Sequence, residues 1–210
     1  RSTPRWRWRD TLLVLVCWTL AAAIVVPFIL TCLVGQRRLS AAEKGHTPVP
    51  APAELISSET FIAPMSGRLI ALEDVADQGF ASKSMGDGIA IEPSDGTVIA
   101  PYSGTVAVAF PTSHAYGLAC DNGREVLIHI GMDTVKLEGK GFTPRVAKGD
   151  VVKRGDVLAE VDWDVIREAG YDTITPMVVT NKKKFGEITP AAPGPVGITD
   201  TVVTVSPKEA

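Results

Sequence analysis

From residue 58 onward the apolar positions fall in short runs rich in Val, Ile and Thr, broken by Gly or Pro roughly every 8 to 12 residues. That spacing predicts an all-β domain, a flattened antiparallel sandwich or barrel with Greek-key-like strands, over residues 58–205, followed by a polar tail at 206–210. Alternation within the runs assigns faces. In Val126-Leu127-Ile128-His129-Ile130, side chains 126, 128 and 130 share one face and Leu127 and His129 share the other. One segment breaks the period-2 pattern: residues 163–169 predict a short helix, with Asp162 or Asp164 as its N-cap and Gly170 past its end. Residues 201–205 predict the last strand.

The domain carries an internal echo. Ile62-Ala63-Pro64-Met65-Ser66-Gly67 returns 37 positions later as Ile99-Ala100-Pro101-Tyr102-Ser103-Gly104, with five of six residues identical. The repeat predicts two related turns feeding paired strands. Gly149-Asp150 and Gly155-Asp156, each followed by Val, mark two further turn-to-strand passages.

The first 57 residues read differently. Residues 11–34 hold 24 positions without a charge, enough at ~1.5 Å per residue to cross a ~30 Å hydrocarbon core with tilt. An h-region of a signal peptide is shorter, about 7 to 15 residues, so a retained transmembrane helix is predicted within residues 1–38, followed by an Ala/Pro linker over 39–57. Charge divides with this boundary: residues 1–40 carry 6 Lys/Arg and one acid, whereas 41–210 carry 15 against 23. An acidic domain on a basic anchor excludes a nucleic-acid binder and suits basic partners. Of the three cysteines, Cys17 and Cys32 fall in the span and Cys120 in the domain, so no disulfide framework is expected.

Candidate chemistry centres on His114 and His129, 15 residues apart. His129 shares its face with apolar Leu127 and is followed by Gly131, which leaves room for a partner's backbone, and by Asp133, an anion for a cationic partner. His114 follows Pro111-Thr112-Ser113, a turn in which a hydroxyl can bind one ring nitrogen, fix the tautomer and aim the other nitrogen. Two facing imidazoles have three uses: one carries a phosphoryl group while the other donates to its oxygens, both bind a metal such as zinc, or both are satisfied core residues. The domain offers no third His and a single Cys for a metal set. His46 lies in the linker with no role.

The stretches Phe61 to Gly67, Gly86-Asp87-Gly88-Ile89-Ala90-Ile91, His114-Ala115, His129 to Leu137 and Gly139-Lys140-Gly141-Phe142 resemble, in order, the glucose-type enzyme IIA domain of the bacterial phosphoenolpyruvate:sugar phosphotransferase system. The resemblance implies a phosphotransferase that takes a phosphoryl group from the carrier protein HPr on His129 and passes it to a cysteine of an enzyme IIB domain. By position, His114 would hold the phosphoryl oxygens and Thr112 would orient His114. Phe80, Phe110 and Leu127, with Val135 and Gly131, would form the docking rim, flanked by Asp77 and Asp133. No cofactor or metal is implied as required, and zinc between His114 and His129 is not expected.

A membrane span, a linker and then IIA resemble the end of a β-glucoside or sucrose-type permease in the order IIB, IIC, IIA. That implies a IIC membrane domain, the inner membrane with IIA on its cytoplasmic side, and dimers through the membrane part. Rival readings are a biotinyl- or lipoyl-like carrier or β-sandwich binding module, suggested by the Gly-Asp repeats but lacking a Met-Lys-Met or Asp-Lys-Ala setting, and a zinc hydrolase, lacking a His-x-His motif.

Overall fold

In the computed structural model, which describes residues 59–208, the two echoed segments hydrogen-bond to each other. The Ile62 N–H donates to the Pro101 carbonyl at 3.2 Å and the Ile99 N–H to that of Pro64 at 2.8 Å. The next residues repeat the symmetry, Ala63 N–H donating to Asp200 and Ala100 N–H to Asp156, at 2.9 and 2.8 Å.

This pseudo-two-fold relation runs through the sheets. In chain order the strands are β1 (Glu59–Ile62), β2 (Gly67–Ile70), β3 (Asp87–Pro93), β4 (Thr97–Ile99), β5 (Gly104–Ala109), β6 (Ala115–Cys120) and β7 (Glu125–His129). There follow β8 (Phe142–Pro144), β9 (Val151–Val152), β10 (Val157–Val161), β11 (Thr175–Val179), β12 (Ile188–Pro190), β13 (Gly194–Val196) and β14 (Thr201–Val205). All strand pairs are antiparallel. The main sheet has the order β13-β2-β3-β11-β7-β6-β5-β9, and two three-stranded sheets run β1-β14-β12 and β4-β10-β8. Exchanging β2 with β5, β3 with β6 and β11 with β7 reverses the main sheet onto itself and interchanges the small sheets. The echoed turns thus feed strands near opposite ends of the main sheet, not strands paired with each other as the repeat alone predicted.

The all-β antiparallel architecture follows the sequence pattern. Val126, Ile128 and Ile130 are buried in a core shared with Phe61, Met65, Tyr116 and Met177, while Leu127 and His129 lie half-buried on the other face. The helix over 163–169 is observed as Trp163–Glu168, capped by Asp162, whose carboxylate accepts from the N–H groups of Asp164 and Val165. It is the second of two α-helices among the described residues. An unpredicted helix α1 (Gln78–Ala81) precedes this one, α2, and three 3-10 turns add to them. Four residues with a Gly at the second give no 3.6-residue period, so the local signal for α1 is its cap: the Asp77 carboxylate accepts from Gly79 and Phe80 N–H.

Cys120 is buried and its thiol pKa is pushed up to about 12, chiefly by burial, which suits a small filler rather than a nucleophile. The expected span and linker at residues 11–57 lie outside the described residues. Among the described residues no helix is long and apolar enough to cross a membrane.

Candidate functional site

Two loops converge at the centre of the main sheet because β6 and β7 pair with Ala115 opposite His129. His114 stands one residue before β6, and its carbonyl accepts from the Ile130 N–H at 2.7 Å, which ties the two histidine backbones together. The imidazole centroids lie 5.2 Å apart with the planes at 75°. His114 is buried and His129 half-buried.

Each ring is fixed through Nδ1. That of His129 lies 2.7 Å from the Gly131 carbonyl oxygen. A carbonyl only accepts, so Nδ1 carries the hydrogen and the neutral ring keeps its lone pair on Nε2. Nδ1 of His114 lies 2.6 Å from Oγ1 of Thr112, a hydroxyl able to donate or accept. Burial lowers the pKa of both rings. For His114 the neighbouring His129 lowers it further, whereas for His129 the Gly131 carbonyl and the charges of Asp77 and Asp133 oppose the drop without cancelling it. Both imidazoles are therefore neutral near pH 7, and His129 presents a nucleophilic nitrogen.

The loop after β7 is held from below. The Gly131 N–H donates to Thr175 Oγ1 at 3.2 Å, the Met132 N–H to the Asp172 carbonyl at 2.9 Å, and the buried Thr134 hydroxyl to the Ile130 carbonyl at 2.6 Å. Gly131 has φ 68° and is buried, and a Cβ there would sit 2.8 Å from the Asp172 carbonyl oxygen. The space beside it is filled by the chain's own backbone. This corrects the expectation that Gly131 leaves room for a partner.

The remaining expected residues occupy three kinds of place. Asp77, Phe80, Asp133 and Val135 line, with His129, a 390 Å³ depression. Phe80 is its floor rather than its rim: it is buried with Leu72, Val75 and Val178 and meets the His129 ring edge-on at 5.6 Å. Val135 and Phe110 are exposed, the latter with its ring 5.1 Å from that of His114. Leu127 and Phe110 border a second, 440 Å³ apolar groove over β5, β6 and β7. The pseudo-two-fold explains that groove. The connection from β2 to β3 is long enough to fold Leu72, Val75 and Phe80 back over its half of the sheet, whereas the connection from β5 to β6 is a tight turn that leaves its half open.

Asp133 adopts φ 60° and pairs with Lys136 at 2.9 Å. Asp172, Met132 and Ala76 also line the depression, and none was anticipated. Asp172 arrives from the loop before β11, far along the chain from His129, so no local spacing points to it. Its signal is three-dimensional, the backbone bond from Met132. Among the described residues no three His, Cys, Asp or Glu side chains group to hold a metal ion.

Residues 59–185 match the family described as phosphoenolpyruvate-dependent sugar phosphotransferase system, EIIA 1. The chain is 51% identical over 146 residues to the β-glucoside-specific EIIBCA component of Dickeya chrysanthemi, covering 70% of this chain but 23% of that relative. It is 46% identical over 125 residues to the glucose-specific EIIA component of Bacillus cereus, covering 60% of this chain and 76% of that protein. Glucose permease IIA from Mycoplasma capricolum superposes with a TM-score of 0.65 at 35% identity, over 70% of this chain and 96% of the other. The chain belongs to the EIIA 1 family of the phosphoenolpyruvate-dependent sugar phosphotransferase system, the phosphoryl-carrying components of that relay.

Proposed function

We propose that Nε2 of His129 accepts a phosphoryl group from phospho-HPr and passes it to a cysteine of a IIB domain, so that sugar is phosphorylated as it enters the cell. The observation that carries this reading is the bond from Nδ1–H of His129 to the Gly131 carbonyl, which leaves a neutral ring with a free Nε2 in an open depression beside a second imidazole. The nucleophilic nitrogen forms the new N–P bond as the P–N bond to the donor histidine breaks, and the leaving ring keeps the electron pair. His114 donates to the phosphoryl oxygens through Nε2–H, with its Nδ1 accepting from Thr112. Catalysis then rests on positioning and charge stabilisation.

Asp77 and Asp133 supply an acidic rim, and Val135, Phe110 and Leu127 supply apolar contact, for a basic HPr face. The relatives named EIIBCA associate this domain with IIB and IIC parts. The substrate class we favour is a β-glucoside, with residues 11–34 forming a span of the permease in the inner membrane and the IIA domain on its cytoplasmic side. The test is to incubate the full chain with phosphoenolpyruvate, enzyme I and HPr and to map any acid-labile, base-stable phosphate. One phosphate on His129 supports the proposal, and none on a folded chain refutes it.

Docking gives a separate prediction. Asp133→Lys places a cation on the acidic rim and faces it with Lys136, so HPr affinity at low ionic strength should fall about tenfold. Asp133→Asn, which tolerates the left-handed backbone, should lose less. Titration calorimetry of both variants at two salt concentrations checks this, and an unchanged affinity for the lysine variant contradicts it.

A further inference from the structure

One wall of the His129 depression is built by an excursion rather than by the sheet. Residues 71–86, between β2 and β3, hold little regular structure, a 3-10 turn (Leu72–Asp74) and the four-residue α1. Yet they deliver Ala76, Asp77 and Phe80 to the depression. Burial of Leu72, Val75 and Phe80 with Ala90 and Val178 holds the inner side of the segment. Apolar burial is not directional, so it does not by itself fix where Asp77 and the Phe80 ring stand relative to His129.

Lys83 supplies the fixed points. Its Nζ lies 2.9 Å from Glu73 Oε1 and 3.0 Å from Asp87 Oδ1. Glu73 belongs to the first turn of the excursion and Asp87 opens β3, so one ammonium bridges both ends of the segment. The Lys83 backbone is tied as well. Its N–H donates to the carbonyl of Phe80 at 2.8 Å, and its own carbonyl accepts from Lys182 Nζ at 2.7 Å. Phe80 is the residue whose ring meets His129 edge-on at 5.6 Å. Lys83 sits at φ 58°, a left-handed conformation that is unfavourable for any residue with a Cβ; what distinguishes lysine there is a stem long enough to reach two carboxylates. The side chains of Lys83 and Asp87 are 31% and 20% exposed, so their pair is screened less than one at the open surface. Hydrogen bonding to Glu73, then to Asp87, raises the Lys83 pKa, and the bridge stays charged through neutral pH.

We infer that Lys83 is a positioning residue for the phosphoryl transfer: by bridging the two ends of the excursion it holds Phe80 against the His129 ring and Asp77 at the wall of the depression. This rests on the phosphoryl-carrier reading above. Lys83 touches no reacting atom. It acts through Phe80, which restrains the nucleophilic ring, and through Asp77, which meets the donor protein.

The test uses the full chain and three variants. Lys83→Met keeps the stem and removes the charge, Lys83→Arg keeps the charge, and Glu73→Gln removes one carboxylate at an exposed position. In Lys83→Met the ring-proton shifts of His129, to which the Phe80 ring current contributes, should move. KM for phospho-HPr should rise about three- to fivefold, the upper range for one partly exposed ion pair, with kcat within about twofold of wild type. Lys83→Arg should restore both readings. Glu73→Gln should act more weakly in the same direction and should add nothing in a chain that already carries Lys83→Met, because its partner is gone.

A merely structural role would lower the thermal midpoint and leave the His129 shifts and KM alone, and that result in Lys83→Met overturns the proposal. So does an arginine variant that behaves like the methionine one, since charge is then not the agent. Should Lys83→Met fail to fold, Glu73→Gln decides through the same two readings. If the wild type takes no phosphate on His129, the carrier reading fails, and the ring-proton shifts still decide whether Lys83 holds Phe80 in place.

Discussion

His129→Ala is expected to abolish phosphoryl acceptance, with incorporation from phospho-HPr falling below about one-thousandth of wild type, the scale on which a deleted nucleophile registers. The loss follows from one atom. Nδ1 is committed to the Gly131 carbonyl, so Nε2 is the nitrogen available for a bond to phosphorus. His114 does not replace it, because it is buried and, with its Nδ1 accepting from Thr112 as proposed above, its Nε2 carries the hydrogen and offers no lone pair. His129→Gln, which fills more of the same space, separates loss of the nucleophile from loss of packing against Phe80. Intact mass spectrometry after incubation with phosphoenolpyruvate, enzyme I and HPr reads both variants, and wild-type incorporation in either would move the acceptor elsewhere.

The pH dependence of acceptance has a definite sign. Burial, the dominant influence on both rings, depresses their pKa values. Acceptance should therefore hold constant as pH falls to about 6.5, the ordinary imidazole value, and decline only below it as the His129 ring takes a proton. Fold stability shifts in the same direction. A depressed folded-state pKa contributes stability that is present above the unfolded value and is lost as pH falls through the folded one. Single-turnover rates and thermal midpoints across this range check both statements; a rate that rises on acidification would mean that the protonated ring is the acceptor.

Much of this site can be read along the chain because its central residues obey local rules. Period-2 alternation put His129 on the face opposite Ile128, and of the two hydroxyls in the turn before His114 it is that of Thr112, as the family resemblance implied, that lies 2.6 Å from its Nδ1. What could not be read is what depends on residues distant in sequence. Asp172 reaches the depression only because β11 pairs with β7, which brings its loop beneath Met132. Gly131 suggested open space, and long-range packing filled that space with the Asp172 carbonyl. The echo announced two related turns, but a repeat does not say which strands pair. The sheet order makes the copies symmetry mates across the β7–β11 junction rather than neighbours. Helix α1 escaped notice because four residues hold too little of a period, although Phe80, which it delivers, packs against the His129 ring.

His114→Gln should separate the two half-reactions. Acceptance from HPr exchanges one imidazole for another on phosphorus, so nucleophile and leaving group are matched and the donor protein brings its own groups to the phosphoryl oxygens. Onward transfer is less balanced: a cysteine thiolate carries negative charge toward an anionic phosphoryl group, with Asp77 and Asp133 nearby and Lys136 already paired to Asp133. A donor held against the oxygens matters most in that step. In the proposed relay the Thr112 hydroxyl donates to Nδ1 of His114, which keeps the proton on Nε2 and makes the ring such a donor. Glutamine retains an amide N–H but loses the ring that Thr112 and Phe110 hold in place. Onward transfer to IIB should therefore fall about 10²- to 10³-fold, the usual cost of one preorganised donor, while acceptance from HPr stays close to wild type. Rapid-quench measurement of both steps tests this directly, and equal onward rates for wild type and variant would remove His114 from the transition state.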